Sequence, residues 1–345
     1  MKILVWHWGR RGAGPRFARE LATALRSLDG IEAALSLPAT ADILALPDAK
    51  PCDLPLPTYA SAMGLARQYL NAPAWLGWLD RQLALLRPDF AICAMPAMLD
   101  HLMFRALDRR GIASVAIAHD ARPHPGDGGI VRAAWDRVLL RRAGAIAVLT
   151  RHVGTALAPL VPSLQLSHPP FPMPRTTPAR AHDGPLRVLS FGRMRAYKGI
   201  DLLARTLALL PVDWDIRVIG AGRVHADLAG ARVEHRFVPE AELPEIFAWA
   251  DVVLLTHRAA SQSGVAAMAL GAGRFVVATN VGGLPEQLAD APGAMLCPPD
   301  PVSLAAALRA LPAEAPAPID ARRAWCAMAA DLLAQARAAG LGRTA

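Results

Sequence analysis

Short apolar runs alternate with helix-length segments along most of the chain, and the pattern occurs twice. In the first half, residues 2–6, 89–94, 113–118 and 145–149 read as strands, with helical patterns over 15–28, 97–110 and 130–142. In the second half, strands are predicted at 186–191, 215–219, 233–237, 251–255 and 274–279, again separated by helices. Strands that alternate with helices build parallel sheets covered on both faces. At 345 residues the chain is too long for one ordinary core. Between the halves, residues 159–185 carry eight prolines and little periodicity, the composition of a linker. The expected fold is therefore α/β, with two doubly wound, Rossmann-like domains over 1–170 and 185–318. A C-terminal helix over 319–345 is expected to pack back across them. Ligands of such domains bind at the carboxyl ends of the strands, so two facing domains enclose a cleft.

Composition narrows the setting. With 53% hydrophobic and 19% charged residues the chain is globular, and no run of 18 uncharged apolar residues could span a membrane. The start, Met1 to Trp6, reads as a strand without the apolar stretch and cleavage site of a secretion signal. Cys52, Cys93, Cys297 and Cys326 form no metal-binding spacing and fit a reducing compartment, so a cytoplasmic location is expected. The net charge of +8 is uneven: residues 1–180 hold 21 Lys/Arg against 13 Asp/Glu, and residues 181–345 hold 16 of each. The basic first half should face something anionic. A membrane surface or a lipid-linked diphosphate is favoured over nucleic acid, because no basic run with interleaved aromatics occurs. Residues 59–86, rich in Ala and Leu and containing Trp75 and Trp78, read either as a membrane-docking helix or as one facing the core.

The most informative loop is Ser190-Phe191-Gly192-Arg193-Met194-Arg195-Ala196-Tyr197-Lys198-Gly199-Ile200-Asp201. A strand runs into a glycine turn, cations follow, and a helix pattern begins near Gly199. Cations and backbone N–H groups at the carboxyl end of a strand suit a phosphorylated ligand. Lys198 is one of only three lysines among 37 basic residues, which points to a compact point charge. Gly9 to Pro15, with Gly12 and Gly14, joins the first strand to the first helix and reads as a phosphate- or sugar-contacting loop or a plain tight turn. Its glycine spacing is not the dinucleotide fingerprint. Gly220-Ala221-Gly222 comes closer, but His225 occupies the third glycine position. Ser261-Gln262-Ser263-Gly264-Val265 precedes an Ala/Met-rich helix that Ser263 would cap, and Gly282 to Glu286 opens another helix after a strand. His119 and Asp120 follow a first-half strand, with His124 behind them; no further ligand completes a metal site. Asp213 and Asp215 form a DxD placed before a strand, which reads as a loop edge.

These pieces, in this order, resemble the retaining nucleotide-sugar glycosyltransferases of the two-Rossmann GT-B type, family 4 in particular. The resemblance is carried by the glycine loop at 9–15, the 191–201 segment and Val218 to Gly222. Further on it includes Phe237-Val238 before Glu242 to Pro244, Ala250-Asp251, Gly264 with Ala269 to Gly271, and 276–279 followed by 282–286. It is strong over roughly 185–310 and weak over 1–170, the acceptor-binding half. It implies Arg193 and Lys198 on the donor diphosphate and Phe237-Val238 beside the base. It also implies the 261–265 helix start on the diphosphate and sugar, His119 reaching the donor sugar, and Gly12 and Gly14 in the loop that closes over it. The catalytic set so implied is His119, Arg193 and Lys198, with no cofactor and no metal. The partners implied are a nucleotide-sugar donor and a saccharide or lipid-linked acceptor, in cell-surface polysaccharide assembly at the inner membrane face. The family's paired glutamates fall by register at Arg258 and Ala266, and no acid lies between Asp251 and Glu286. Ser261, Gln262, Ser263, backbone groups or Glu286 must then hold the sugar and ribose hydroxyls. A nucleotide-binding partner subunit without transferase activity and a nucleotide-sugar 2-epimerase of the same architecture are the alternatives.

Overall fold

The computed structural model describes residues 1–46, 52–57, 59, 61–121, 129–158, 163–174, 178–223, 226–228 and 230–341. His124 and His225 lie outside the described residues. The first lobe runs β1 (Lys2–Trp6), α1 (Ala13–Arg26), β2 (Glu32–Ser36), α2 (Ala62–Leu70), α3 (Ala72–Leu86) and β3 (Phe90–Cys93). It continues through α4 (Asp100–Arg109), β4 (Ala113–Ala118), α5 (Gly129–Leu140), β5 (Ala145–Val148), α6 (Arg151–Leu157) and β6 (Ser163–Gln165). The second lobe runs β7 (Arg187–Phe191), α7 (Ile200–Leu207), β8 (Asp215–Ile219), β9 (Ala231–Glu234), α8 (Leu243–Trp249) and β10 (Val252–Leu255). After these come α9 (Gly264–Gly271), β11 (Phe275–Thr279), α10 (Leu284–Leu288), β12 (Ala294–Cys297), α11 (Pro301–Arg309) and α12 (Ala321–Ala338).

Each lobe holds a six-stranded sheet, ordered β2-β1-β3-β4-β5-β6 and β12-β11-β10-β7-β8-β9. All their pairings are parallel. The central strands are apolar throughout: β3, β5, β10 and β11 are buried at every position, as strands covered on both faces must be. Both sheets reverse direction of winding once, between β1 and β3 in the first and between β7 and β10 in the second. A crevice opens outside the carboxyl ends of the strands at such a point. The loops after β1 and β7 that stand out in the sequence are therefore at the two places where ligands bind in this architecture.

Several elements depart from the expectation. Residues 163–165, inside the predicted linker, form edge strand β6; the tripeptide Ser-Leu-Gln is too short for its alternation to register. The exposed edge of β6 is satisfied by a side chain of α12: Gln335 Oε1 accepts from Gln165 N at 3.0 Å and Gln335 Nε2 donates to Gln165 O at 2.7 Å. Strand β9 ends at Glu234, leaving Phe237 in the loop that follows. The 59–86 segment is two helices, broken at Asn71 just before Pro73. Strands β2 and β12, half-buried edges or near-edges of their sheets, carried too weak an apolar pattern to be anticipated.

Helix α12 leaves the second lobe and packs on α1 of the first. Trp325 is 2% exposed; its ring lies 4.9 Å from that of Phe17 and 5.8 Å from that of Phe171, and its Nε1 donates to Pro170 O at 2.9 Å. The linker is tied down at its other end by buried Asp251, whose carboxylate accepts from Arg180 N at 2.6 Å and Arg187 N at 2.9 Å. Both lobes thus share one apolar cluster through Phe17, Phe171 and Trp325. Trp325→Ala is expected to cost about 3–5 kcal/mol, the usual range for emptying a buried aromatic site. A urea midpoint that does not fall would show that α12 contributes nothing to the join.

Candidate functional site

The loop after β7 is folded against its neighbours by backbone contacts that its composition allows. Gly199 has φ +68°, and a Cβ there would collide with Thr256 O, the residue after β10. Thr256 Oγ1 donates to Lys198 O at 2.9 Å, and Lys198 Nζ stands 2.6 Å from His257 Nε2. The ammonium donates, so that imidazole nitrogen accepts. Lys198 is thereby fixed at the β7–β10 switch point. On the same loop Arg193 is exposed, and Gly192 lies beside the first turn of α9, where an added Cβ would be 3.6 Å from Val265 Cγ2.

Helix α9 begins as the sequence predicts. Ser263 Oγ accepts from Ala266 N at 3.2 Å, while Gln287 brackets the Ser263 backbone, Oε1 accepting from its N at 2.7 Å and Nε2 donating to its O at 3.0 Å. This consumes the Ser263 hydroxyl as a cap. Ser261 is buried, and its carbonyl accepts from Thr150 Oγ1 of the first lobe at 3.1 Å. Gln262 is different: its Oε1 is shut off from solvent and accepts no hydrogen bond.

Across the cleft, Gly12 (φ +84°) stands at the start of α1, which no side chain caps. A Cβ on Gly264 would lie 3.2 Å from Ala13 Cβ, so the N-termini of α1 and α9 approach one another from opposite lobes. Both place the positive ends of their dipoles toward the same space. Gly14 is needed by its neighbour, since a side chain there would strike the His7 ring. His7 is itself buried, with Nδ1 2.8 Å from Met95 O.

Residues that sequence reasoning passed over join the lobes. Arg16 of α1 and Glu240 of the second lobe form a buried ion pair, with Arg16 Nε donating to Glu240 Oε2 at 2.9 Å and Nη2 donating to the same oxygen. The Arg11 guanidinium lies 4.8 Å from the centre of the exposed Phe237 ring, while Val238 beside it is buried. Asp42 completes the group. Both its carboxylate oxygens are buried without a hydrogen bond of good geometry, and burial, then the charge of Glu240, raises its pKa against the pull of nearby backbone amides and Arg11. Arg16, Asp42 and Glu240 lie in no strand and glycine motif, so no local signal marks them, whereas Arg11 belongs to the Gly9–Pro15 loop and Phe237 and Val238 to a segment the sequence singles out.

Two predicted residues sit elsewhere than in the open cleft. Glu286 accepts from Arg151 N at 2.9 and 2.7 Å through its two oxygens, capping α6 of the first lobe. His119 is 7% exposed beneath Phe17, ring centres 4.7 Å apart, and its Nε2 donates to Ala94 O at 2.9 Å. Burial, then the neighbouring His168, lowers its pKa to about 3, and burial lowers that of His168 to about 4, so both rings are neutral at working pH. With Nε2 protonated, His119 retains Nδ1 as an acceptor. Of the two register positions for the family's acids, Arg258 pairs with Asp201 of α7 at 3.1 Å and Ala266 is fully buried. Among the described residues, no group of three or more His, Cys, Asp or Glu is placed to hold a metal ion.

Residues 185–314, the second lobe, match the family described as glycosyl transferases group 1. No curated protein matches the chain. Among solved structures, Anabaena HepE in complex with UDP and glucose is 17% identical, covering 99% of this chain and 95% of that one with a TM-score of 0.65. Sucrose-phosphate synthase from Thermosynechococcus elongatus is 16% identical over 99% of this chain and 96% of that one, with a TM-score of 0.63. UDP-GlcNAc 2-epimerase from Neisseria meningitidis, bound to UDP-GlcNAc, is 11% identical over 95% and 94%, with a TM-score of 0.56. The likeness is one of fold: the two parallel sheets form the GT-B arrangement of the glycosyltransferase neighbours.

Asp42 gives the cleft a pH signature. Its folded pKa lies above the ordinary value of 3.8, so folded protein holds the proton to higher pH than unfolded chain does. Stability therefore falls as pH rises through that window, and the full penalty applies above it. Asp42→Asn is expected to raise the thermal midpoint at neutral pH, the gain vanishing as the pH falls to 3.8. A gain that is the same at both ends of the range would mean the buried charge is not its source.

Proposed function

We propose that the protein is a glycosyltransferase that moves a sugar from a nucleoside-diphosphate sugar to an acceptor hydroxyl with retention of anomeric configuration. What supports this reading is that the loop carrying Arg193 and Lys198 lies at the second lobe's switch point, with its Gly192 beside the first turn of α9 and Lys198 held by His257, and that α9 starts opposite α1. Such a space suits a pyrophosphate, and the match of 185–314 to a glycosyltransferase family supports a sugar on it. In the proposed step the bond from the anomeric carbon to the diphosphate oxygen breaks, and the acceptor oxygen bonds to that carbon on the same face. The acceptor proton passes to the departing phosphate oxygen. Arg193, Lys198 and the α9 dipole stabilise the charge gathering on the leaving group. His119, neutral and covered by Phe17, is assigned no contact with the sugar in this step, and Phe237 and Val238 flank the base. The acceptor we propose is a saccharide or a lipid-linked sugar in cell-surface polysaccharide assembly.

The hydroxyl-reading role falls to Gln262. Ser263 Oγ accepts at the helix cap, Glu286 accepts from α6 and the Ser261 carbonyl from Thr150, whereas Gln262 keeps an unmet acceptor beside the helix start. A donor hydroxyl would satisfy it once the side chain turns from its enclosed position into the cleft, and such an unmet group costs about 1–3 kcal/mol until it is paired.

One observation favours the epimerase reading: Asp42 and Glu240 place two carboxylates in the cleft, and proton carriers are what that chemistry needs. Glu240, however, is held in a buried ion pair with Arg16. Incubation with a UDP-sugar separates the readings. Transfer or slow release of UDP supports a transferase, interconversion of the sugar supports an epimerase, and neither supports a partner subunit. A thermal-shift screen against UDP-, GDP- and ADP-sugars should show a raised midpoint with one nucleotide, since a ligand bound to the folded state stabilises it. Lys198→Ala is expected to lower kcat by on the order of 10²-fold, the scale of losing one such contact. Gln262→Ala should lower kcat/KM on the order of 10-fold or more. Near-normal turnover in Lys198→Ala removes the leaving-group role.

A further inference from the structure

A surface helix of a globular domain shows an apolar face to the core and a polar face to water. Helices α2 and α3 break this rule on their outer side. Inward, Leu76, Leu79 and Leu83 are buried, and Trp75 and Trp78, ring centres 5.6 Å apart, are half-buried against the same core. Outward, Met63 is 83% exposed, Leu70 83% and Leu85 75%, the three largest such values in the first lobe's described side chains. Met63, Ala66, Arg67 and Leu70 follow a helical period along the exposed face of α2, and exposed Pro73, Ala74, Arg81, Ala84 and Leu85 share one side of α3. These exposed positions carry arginine as their only charge.

The one acid of the segment, Asp80, is turned away, 3.3 Å from Arg109 Nη1 and 3.5 Å from Arg110 Nε of the neighbouring α4 end. Exposed Arg87 closes α3 in the left-handed conformation, φ +47°. Large apolar side chains standing in water beside cations, with no acid among them, match the headgroup boundary of a negatively charged bilayer. Leucine and methionine enter the acyl edge while guanidinium groups meet lipid phosphate. A protein partner with an acidic rim would also meet the arginines. The whole first half carries the chain's excess of positive charge, however, and an extended charged sheet of lipid answers a field of that breadth. Among the described residues no helix is long and apolar enough to cross a membrane, so the face would lie on the bilayer.

We infer that the outer face of α2 and α3 docks the first lobe on an anionic lipid surface through Met63, Leu70 and Leu85, with Arg67 and Arg81 on the headgroups. The inference is independent of the donor site and is read without any transfer assay. The full chain is mixed with vesicles of phosphatidylcholine, alone or containing phosphatidylglycerol, and sedimented. Binding is expected to the anionic vesicles, to weaken with salt, and to fall about fivefold for each of Arg67→Ala and Arg81→Ala. Leu70→Glu with Leu85→Glu should abolish it while leaving the thermal midpoint unchanged, both side chains being exposed. Binding to neither vesicle, equal binding to both, or binding that survives the paired glutamates overturns the proposal. So does a vesicle-free dimer that Leu70→Glu dissociates, which would make the face an interface between two copies.

Discussion

Arg16 and Glu240 come from opposite lobes and meet where water is excluded, and the rest of the cleft is arranged around that contact. Burying two charges costs several kcal/mol per ion before their attraction is counted, so the pair is not an economical way to glue apolar domains. What it supplies is position. A guanidinium fork bonded twice to one carboxylate oxygen tolerates little sliding or rotation, and lysine could not reproduce that geometry. The flanking contacts share the restriction. Arg11 must lie over Phe237, the Thr150 hydroxyl must reach Ser261 O while accepting from Val153 N, and Glu286 must meet the first amide of α6. Each couples a polar group of the first lobe to a loop at the carboxyl edge of the second. The interval between the lobes is thus set by charge and hydrogen bonding at the mouth, and by Trp325 and Phe171 at the back. The buried Asp42 works against this arrangement, because burial and the charge of Glu240 outweigh the pull of Arg11 and the nearby amides on its carboxylate.

The architecture was legible because a strand buried on both faces announces itself without reference to anything distant. The runs at Lys2–Trp6, Ala113–Ala118 and Asp215–Ile219 need only their own apolar residues, and each was placed with its observed boundaries. Where a strand depends on a partner the sequence is silent. Strand β6 exists because β5 offers it one edge and Gln335, 170 residues away, completes the other. The loops after β7 and β10 were legible for a related reason: a turn that admits no Cβ must be written in glycine, and a cap such as Ser263 is spelled locally. The Arg16–Glu240 pair spans 224 residues, and neither member has a neighbour in sequence that marks it. His119 shows the converse difficulty. Its place after a strand made it conspicuous, but only the packing reveals that Phe17 covers it and that it is held neutral.

The same distinction bears on the two positions where a family member would carry glutamate. An acid is useful there only if its surroundings leave the carboxylate facing the ligand, and in this chain the surroundings have changed with the residue. Arg258 is drawn to Asp201 at the start of α7, the helix that the Lys198 loop opens, so the substitution ties the β10 loop to the β7 loop. Ala266 is enclosed in the first turn of α9, where a carboxylate would have to be buried close to the apolar Val265 and Met268. The local charge balance also shifts. No acid lies between Asp251 and Glu286, and Glu286 is committed to α6, so this stretch adds no carboxylate near the positive end of α9. In the proposed reading that favours a diphosphate there and leaves the hydroxyls to a neutral amide, which Gln262 carries with a buried, unmet oxygen.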